Sequence, residues 1–252
     1  MSLQSELTRL QANVTSILSS KDDIMTALAS KGVSIPSGAT LHDVPRLIGD
    51  IPGRAPEPEP ADSVKIGDRW YHYVQIGNQY WIDENLDFKF DGCAIGQEGA
   101  SLEPRANYYN NDEATYGVNG NKYGLLYNWT AVKYLEDHKS ELIPGWHVPT
   151  TTEWDALATA VGGSSVAGTK LKSITGWSSG NGDDSYGFAA FPAGYRSSGS
   201  FSNLGSSAYF WTATERSSSV AYNRYFDTGA SISSDYYSES WGFSVRLVKD
   251  AS

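Results

Sequence analysis

The blocks GFAAFPAG (residues 187–194), YFWTATE (209–215) and WGFSVRLV (241–248) organise the fold of this chain. Each is a short apolar or aromatic run bounded by glycine, proline or serine, which is typical of a buried strand. Between Tyr195 and Ser240, about half of the residues are Ser, Tyr, Asn or Asp. We therefore expect short buried strands that form a stiff aromatic frame, with loops of small polar residues and tyrosines between them.

The polar residues between these blocks resemble antibody loops in composition. Tyrosine offers a large amphipathic contact area with few rotatable bonds, and serine and asparagine adapt their hydrogen bonds to a ligand. No lysine occurs between Lys172 and Lys249. This composition favours a binding surface, and a β-rich surface with ordinary serine-rich turns is the alternative.

The overall composition limits the classes of protein to which the chain can belong. With 252 residues, 8 Trp, 16 Tyr and 25 Gly, the chain suits a β- and loop-rich globule with a sizeable core. A formal net charge of -10 disfavours nucleic acid and anionic membranes as partners. The single cysteine, Cys93, excludes a disulfide framework and a cysteine-rich zinc site, and we expect a small buried apolar side chain there.

Two further features bear on localisation. No apolar run approaches the roughly 20 residues that span a bilayer. The N-terminus also lacks the basic-then-apolar order of a secretory signal. We therefore expect either assembly in a cytoplasm or the loss of a leader, and no insertion into a membrane.

Residues 3 to 28 carry apolar residues in alternating steps of four and three, with Lys21 in the one polar slot. These residues are Leu3, Leu7, Leu10, Val14, Ile17, Ile24 and Leu28. The pattern predicts the seam of a coiled-coil helix and hence self-association, with Lys31-Gly32 as its left-handed end. An amphipathic helix that packs on its own domain is the alternative, and the heptads do not determine the number of strands.

The segment KGVSIPSGATLHDVPRLIGDI (31–51) resembles segments of bacteriophage tail and fibre proteins. That resemblance implies a role of residues 1–51 in attachment or oligomerisation, most simply as a trimer. Residues 52–63 follow, and their alternating prolines and charges predict a stiff, solvated linker. We expect the main domain to span residues 64–252.

Within the main domain, local patterns predict several elements. Strands at 71–76 and 79–82 are joined by Gly77-Asn78, a dipeptide suited to a tight hairpin. A helix is predicted over 152–161, with Thr150 or Thr151 as its cap and Glu153 and Asp155 near its positive end. Its residues Trp154, Leu157 and Ala158 should face the core. Residues 133–138 favour a short helical turn, and 91–107 read as irregular.

Several longer motifs occur together in this domain. They are GNQYWIDENL (77–86), YYNNDEATYGVNGNKYGLLYNWTAV (108–132), PGWHVPTTTEWDAL (144–157), GFAAFPAGYR (187–196), FWTATE (210–215) and WGFSVRLV (241–248). In this order they resemble the Fibrobacter-type major paralogous domain, which is related to the sulfatase-modifying-factor and C-type lectin folds. The resemblance covers about Val64 to Lys249. It implies an α+β, C-type lectin-like domain with a small twisted antiparallel sheet and long loops.

The same fold carries the variable proteins of diversity-generating retroelements, in which adenine positions of the gene are rewritten. The resemblance implies a fixed frame at Phe210, Trp211, Thr212, Trp241, Gly242, Phe243, Ser244, Val245 and Arg246. It implies variable, ligand-binding positions at Tyr195, Ser197, Ser200, Ser202, Asn203, Tyr209, Ser217, Ser219, Tyr222, Asn223, Ser231, Ser233, Asp235, Tyr236 and Ser238. Identical residues at these positions in related genes of one population would contradict this hypothesis.

Catalytic and metal-binding patterns are weak in this sequence. Sulfatase-modifying factors use paired cysteines near the C-terminus, which this chain lacks. The histidines show no metal-binding spacing, and His147 between Trp146 and Val148 reads as a structural residue rather than a base. Glu103-Pro104-Arg105 departs from the calcium-dependent sugar motif of C-type lectins. No catalytic residue, resident metal or cofactor is therefore expected.

A cluster of acidic and amide residues in one loop could hold a structural metal ion. Asn181, Asp183 and Asp184 offer hard oxygen ligands to a structural calcium ion, and solvated loop acids are the simpler interpretation.

The leading hypothesis is a non-enzymatic receptor-binding protein at a phage tail-fibre tip, located in the virion. It would bind a protein or a glycan on the bacterial host, and self-association would add avidity. A bacterial cell-surface adhesin or lipoprotein with the same lectin-like domain is the alternative, and gene neighbourhood would discriminate the two. An enzyme is the third class, and it would need an organised pocket of acids or a metal.

Overall fold

The computed structural model describes residues 21–30, 32, 34, 35, 37, 60–96, 103–117 and 122–251. The chain divides into two compact units, Met1–Glu59 and Pro60–Ser252. None of the helices in the described ranges is long and apolar enough to cross a membrane.

In the N-terminal unit, residues 21–30 are helical. Gly32 follows with φ 81°, and its N–H donates to the Ala29 carbonyl at 2.9 Å, so the predicted left-handed end is confirmed. Residues 3–20 of the predicted coiled-coil seam, residues 38–51 of the phage-tail-like segment and linker residues 52–59 lie outside the described residues. The coiled coil and the linker therefore stay predictions.

The second unit is a mixed α/β fold with several small sheets. Its strands are β1 (Ser63–Ile66), β2 (Arg69–Ile76), β3 (Gln79–Ile82), β4 (Ala94–Ile95), β5 (Arg105–Asn107), β6 (Leu126–Tyr127), β7 (Tyr195–Ser197), β8 (Ser200–Ser202), β9 (Ala208–Ser217), β10 (Val220–Phe226), β11 (Ile232–Ser238) and β12 (Val248–Asp250). They form sheets in the orders β1-β2-β3-β12, β11-β10-β9, β4-β5-β6 and β7-β8. Every strand pair in them is antiparallel except β4 with β5. The predicted 71–76 and 79–82 hairpin is confirmed as β2 and β3.

The helices of this unit are α1 (Glu113–Tyr116), α2 (Trp129–Asp137), α3 (Lys139–Leu142), α4 (Thr151–Ala160) and α5 (Ser164–Leu171), with a 3-10 turn at Tyr109–Asn111. The predicted helix at 152–161 is confirmed as α4, shifted by one residue, and its three predicted core residues are buried. Thr150 caps α4 in a reciprocal capping box with Glu153. Helix α2 is longer than the predicted turn at 133–138, because the Asn128 side chain caps it by accepting from Ala131 N–H at 3.0 Å.

The apolar blocks 187–194 and 241–248 are largely not strands, and the prediction of strands there was wrong. Residues 187–194 make only isolated bridges at Ala190 and Gly194. In the block 241–248, isolated bridges precede β12. Both blocks are nevertheless deeply buried. The Arg246 side chain donates to carbonyls of the first block, and backbone groups of neighbouring segments pair with the second, so buried polar groups of both find partners. Apolar content predicted burial correctly, but burial alone does not specify strand pairing.

The β9–β11 sheet lies between two hydrophobic clusters. One cluster contains Trp211, Ala221 and Phe243, together with apolar residues of α2. The other contains Phe210 and Phe226, together with apolar residues of α4 and α5. Successive residues of a strand point to opposite faces, so each face of the sheet packs on a different cluster. Hydrophobic clusters therefore pack on both faces of the sheet, while parts of its strands remain exposed.

Candidate functional site

Strand register determines which of the candidate residues share a face of the β9–β11 sheet. On one face, three cross-strand rows run Tyr209–Tyr225–Ser233, Trp211–Asn223–Asp235 and Glu215–Ala221–Tyr237. A bulge in β9 shifts the register between the second and third rows. The rows bring tyrosines, small polar residues and carboxylates together without a basic side chain.

Five half-buried rings cover this face, and we name them the aromatic surface: Tyr195, Tyr209, Tyr225, Tyr237 and Trp241. Tyr195 and Tyr237 both stack on Trp241, and their ring centroids lie 5.4 Å and 4.4 Å from that of Trp241. Tyr209 stacks between Tyr225 at 5.3 Å and the fully buried Phe243 at 5.0 Å. Phe243 thus anchors the aromatic surface to the core.

This stacking holds the rings before any ligand arrives. Each aromatic pair contributes about 0.5–1.5 kcal/mol beyond burial, so several coupled pairs restrict the rotamers of their members. Burial, followed by the neighbouring Tyr237, raises the pKa of Tyr209 to about 12. Burial also raises the pKa of Tyr237. These hydroxyls therefore stay protonated at neutral pH and can donate hydrogen bonds.

A polar pair lies in the middle of the same face. Asn223 is fully buried, and neither its Oδ1 nor its Nδ2 has a hydrogen-bond partner in the described part of the chain. Its cross-strand partner Asp235 is half-buried and accepts from Tyr236 N–H at 2.8 Å. A buried amide without partners costs stability, so such a group is unusual unless a ligand or water uses it.

The opposite face carries a second, smaller group of predicted residues. Tyr222 and Tyr236 pair across β10 and β11 with ring centroids 6.3 Å apart. The Arg216 guanidinium lies 3.5 Å from the centroid of Tyr236, which is 44 % exposed. On this face Arg224 bonds to Asp155 of α4 at 2.6 Å, so part of the face is closed by that helix.

The predicted ligand-binding residues therefore fall into five places. Tyr195, Tyr209, Asn223, Ser233 and Asp235 lie at the face of the sheet that the aromatic surface covers. Tyr222, Tyr236 and Ser238 lie on the opposite face. Ser217 and Ser219 lie at the β9–β10 connection, and Ser231 directly precedes β11. Ser197, Ser200, Ser202 and Asn203 belong to the β7–β8 hairpin and its end. One ligand contacting all of them is not compatible with this distribution.

Sequence reasoning missed two members of the aromatic surface, Tyr225 and Tyr237, and assigned a third, Trp241, to the fixed frame. The period-two spacing of strands was the signal for the tyrosines, because they follow Asn223 and Asp235 at two residues' distance. The other predicted frame residues are buried, and Arg246 among them is 0 % exposed. Burial agrees with a supporting role, and it does not test sequence variation.

The other candidate centres have structural explanations. His147 Nε2 lies 2.6 Å from Glu153 Oε1 at the start of α4. The hydrogen bond that His147 donates to Glu153 raises the pKa of His147. Burial opposes ionisation of Glu153, but hydrogen bonds from His147 and Thr150 outweigh it and lower the pKa of Glu153 to about 2. Burial raises the pKa of Cys93 to about 12, so this thiol stays protonated.

The acidic loop makes bonds of its own. Asn181 Oδ1 accepts from Trp177 N–H at 3.2 Å, and Asp183 Oδ1 accepts from Ser185 N–H at 3.1 Å. Asp184 Oδ1 accepts from Ala189 N–H at 2.7 Å. Across the described ranges, no group of three or more His, Cys, Asp or Glu side chains is arranged to hold a metal ion.

A cavity of about 290 Å³ lies between residues 88–91 and the end of α2. Three of its lining rings stack on each other, because Tyr134 stacks on Phe90 at 5.6 Å and on His138 at 4.1 Å. The cavity therefore offers ring edges rather than a free ring face. It is a weaker candidate than the aromatic surface.

A family model described as the Fibrobacter succinogenes major domain matches residues 74–249. No curated protein and no solved structure matched the chain. The matched range begins within β2 and ends within β12, so it contains the whole β9–β11 sheet and the aromatic surface.

Proposed function

The chain belongs to the Fibrobacter succinogenes major domain family, and on that premise we propose that it is a non-enzymatic receptor-binding protein. The observation that carries this proposal is the aromatic surface, which holds five half-buried rings on a sheet packed from both sides. Exposed aromatic groups on a rigid support are typical of protein recognition sites, because little side-chain entropy is lost on binding.

The proposal extends to the setting in which the domain works. The domain has a C-type lectin-like fold and forms the tip of a phage tail fibre, where it contacts the bacterial host. Residues 3 to 28 join the chains into an oligomer, most simply a trimer. The sequence resemblance of residues 31–51 to tail and fibre segments supports this setting, and linked tips gain avidity from simultaneous contacts.

We also propose that a diversity-generating retroelement varies the outward residues of the sheet. The buried frame and the outward Tyr, Ser, Asn and Asp residues support this idea, since outward positions can change with little loss of packing. Sequencing the 3′ end of the gene in one natural population tests it. Substitutions should reach Tyr225 and Tyr237 as well as Asp235 while Trp211 and Phe243 stay fixed. A uniform sequence would leave an ordinary lectin-like adhesin.

Binding itself is tested with the full chain on a panel of bacterial cells. Tyr225→Ala should reduce cell binding about tenfold, because it removes an anchor of the aromatic surface. Tyr222→Ala is the matched control, since Tyr222 is half-buried in the same strand but belongs to the opposite face. Equal binding by the two variants, both folded by tryptophan fluorescence, would exclude the aromatic surface as the receptor site.

A further inference from the structure

The ring stacking limits the class of ligand that the aromatic surface can take. Trp241 is covered on its two sides by Tyr195 and Tyr237, and Tyr209 is covered by Tyr225 and Phe243. Sugar rings bind aromatic side chains mainly by packing against an open ring face. Because the central rings use their faces on each other, the surface presents edges and hydroxyls, which suits a protein better than a neutral glycan.

In the described part of the chain, three rings of the aromatic surface each stack on one other ring: Tyr195 and Tyr237 on Trp241, and Tyr225 on Tyr209. The other neighbour of Tyr225 in its row is the small residue Ser233. Asp235 follows Ser233 by two residues and shares its face, so their side chains stand about 7 Å apart. The small Ser233 side chain therefore adjoins both the Tyr225 ring and the Asp235 carboxylate, and we name this place the gap.

The charges around this gap favour a cation. The three rows of the face contain the carboxylates Asp235 and Glu215 and no basic side chain. Two arginines of the neighbouring strands are engaged elsewhere, Arg216 with Tyr236 and Arg224 with Asp155. Arg196 is buried beside Phe201, and its Nε and Nη2 have no hydrogen-bond partner in the described part of the chain. The negative charge of the face is thus not neutralised by these arginines.

We propose that the gap bordered by Tyr225, Ser233 and Asp235 receives an arginine or lysine side chain of a protein receptor. This inference rests on the proposed receptor-binding function and names the chemistry of its partner. A guanidinium can pair with the Asp235 carboxylate, which keeps lone pairs beyond its bonds from Tyr236 N–H and the Tyr237 hydroxyl, and pack against the Tyr225 ring. The fully buried amide of Asn223, which has no hydrogen-bond partner in the described part of the chain, lies directly across the strands from Asp235.

A library of random linear peptides, displayed and selected on the immobilised full chain, tests the proposal. Peptides selected by the wild-type chain should be enriched in Arg and Lys. Nα-acetylarginine amide should compete with them, and added salt should weaken their binding. Asp235→Asn should weaken the selected peptides about tenfold, as expected for the loss of one charge-assisted hydrogen bond. Ser233→Leu, which fills the gap and keeps the carboxylate, should weaken them as well.

Asp68→Asn is the matched control, because it removes the same charge at an exposed position in the β1–β2 connection. Failure to select any peptide, selection without basic enrichment, or equal loss in Asp235→Asn and Asp68→Asn would each overturn the proposal. Binding of neutral glycans that depends on Tyr225 would also overturn it.

The cell-binding assay distinguishes failure of the proposed cation site from failure of the proposed receptor-binding function. If Tyr225→Ala abolishes cell binding but Asp235→Asn leaves it intact, the cation site is wrong and the receptor-binding function stands. If Tyr225→Ala binds cells as the wild-type chain does, the receptor-binding role of this surface is wrong.

Discussion

Replacing Arg246 by methionine should destabilise the domain severely, because its guanidinium is buried and bonded to backbone carbonyls. Arg246 is 0 % exposed, and its guanidinium donates to the carbonyls of Ile82, Phe188 and Ala189 at 2.9, 2.6 and 2.7 Å. It also donates to Asn85 Oδ1 at 3.1 Å. Burial lowers the pKa of Arg246 to about 10, so the side chain stays charged at neutral pH.

The size of the loss follows from these acceptors. A buried acceptor without a donor costs roughly 1–3 kcal/mol, and methionine leaves three carbonyls and one amide oxygen without this donor. Relaxation and water entry reduce the sum, so we expect the free energy of unfolding to fall by about 3–6 kcal/mol. Arg246→Lys should lose about 2 kcal/mol, because one ammonium cannot reach four spread acceptors.

Urea unfolding of the full chain, followed by tryptophan fluorescence, measures this loss. All 8 tryptophans lie between Trp70 and Trp241, so the signal reports the second unit alone. Arg216→Met is the control, since Arg216 is exposed and packs on Tyr236, and it should cost below about 1 kcal/mol. A loss below about 1 kcal/mol for Arg246→Met would refute the view that this side chain satisfies the buried carbonyls.

Two further predictions concern local structure. The wild-type chain should exceed His147→Gln in stability by about 1 kcal/mol, mainly between about pH 4.5 and 6.5. The stability that His147 contributes is lost as pH rises through its raised pKa. The stability that Glu153 contributes is lost as pH falls towards its lowered pKa of about 2. A difference in urea unfolding between the two chains that does not change with pH would contradict this prediction. Gly194→Ala should cost about 3 kcal/mol or more, because its Cβ would lie 2.2 Å from the Ser202 carbonyl oxygen. Gly145→Ala, also at positive φ but with open space, should cost about 1 kcal/mol, so equal melting temperatures for the two would contradict the steric argument.

Local signals predicted the elements whose cause is local. The β2–β3 hairpin follows from Gly77-Asn78, which suits a tight turn, and Gly77 indeed has φ 62°. Helix α4 follows from the Thr150 and Glu153 capping pair. In each case the residues that determine the structure are within a few positions of each other. The interactions are therefore readable from a short window of sequence.

The candidate site could be predicted only in part, because register is a long-range property. Composition identified the segment 195–240, and alternation within β11 could have joined Asp235 to Tyr237. The bulge in β9 and the stacking of Trp241 on Tyr195 depend on pairings that no local pattern reports. For this reason the predicted residues were assigned to one surface, whereas the strands divide them between two faces of the β9–β11 sheet, two connections and the β7–β8 hairpin.

The buried blocks 187–194 and 241–248 explain how such a domain tolerates irregular backbone beneath the aromatic surface. Arg246 supplies donors to the first block, and Ser244 exchanges backbone hydrogen bonds with β9 through Trp211 N–H at 3.1 Å and Tyr209 carbonyl at 3.0 Å. The frame thus relies on fixed side-chain and backbone partners that point inward. Outward positions of the same strands contribute little to these contacts, so the surface chemistry can change while the backbone beneath it stays in place.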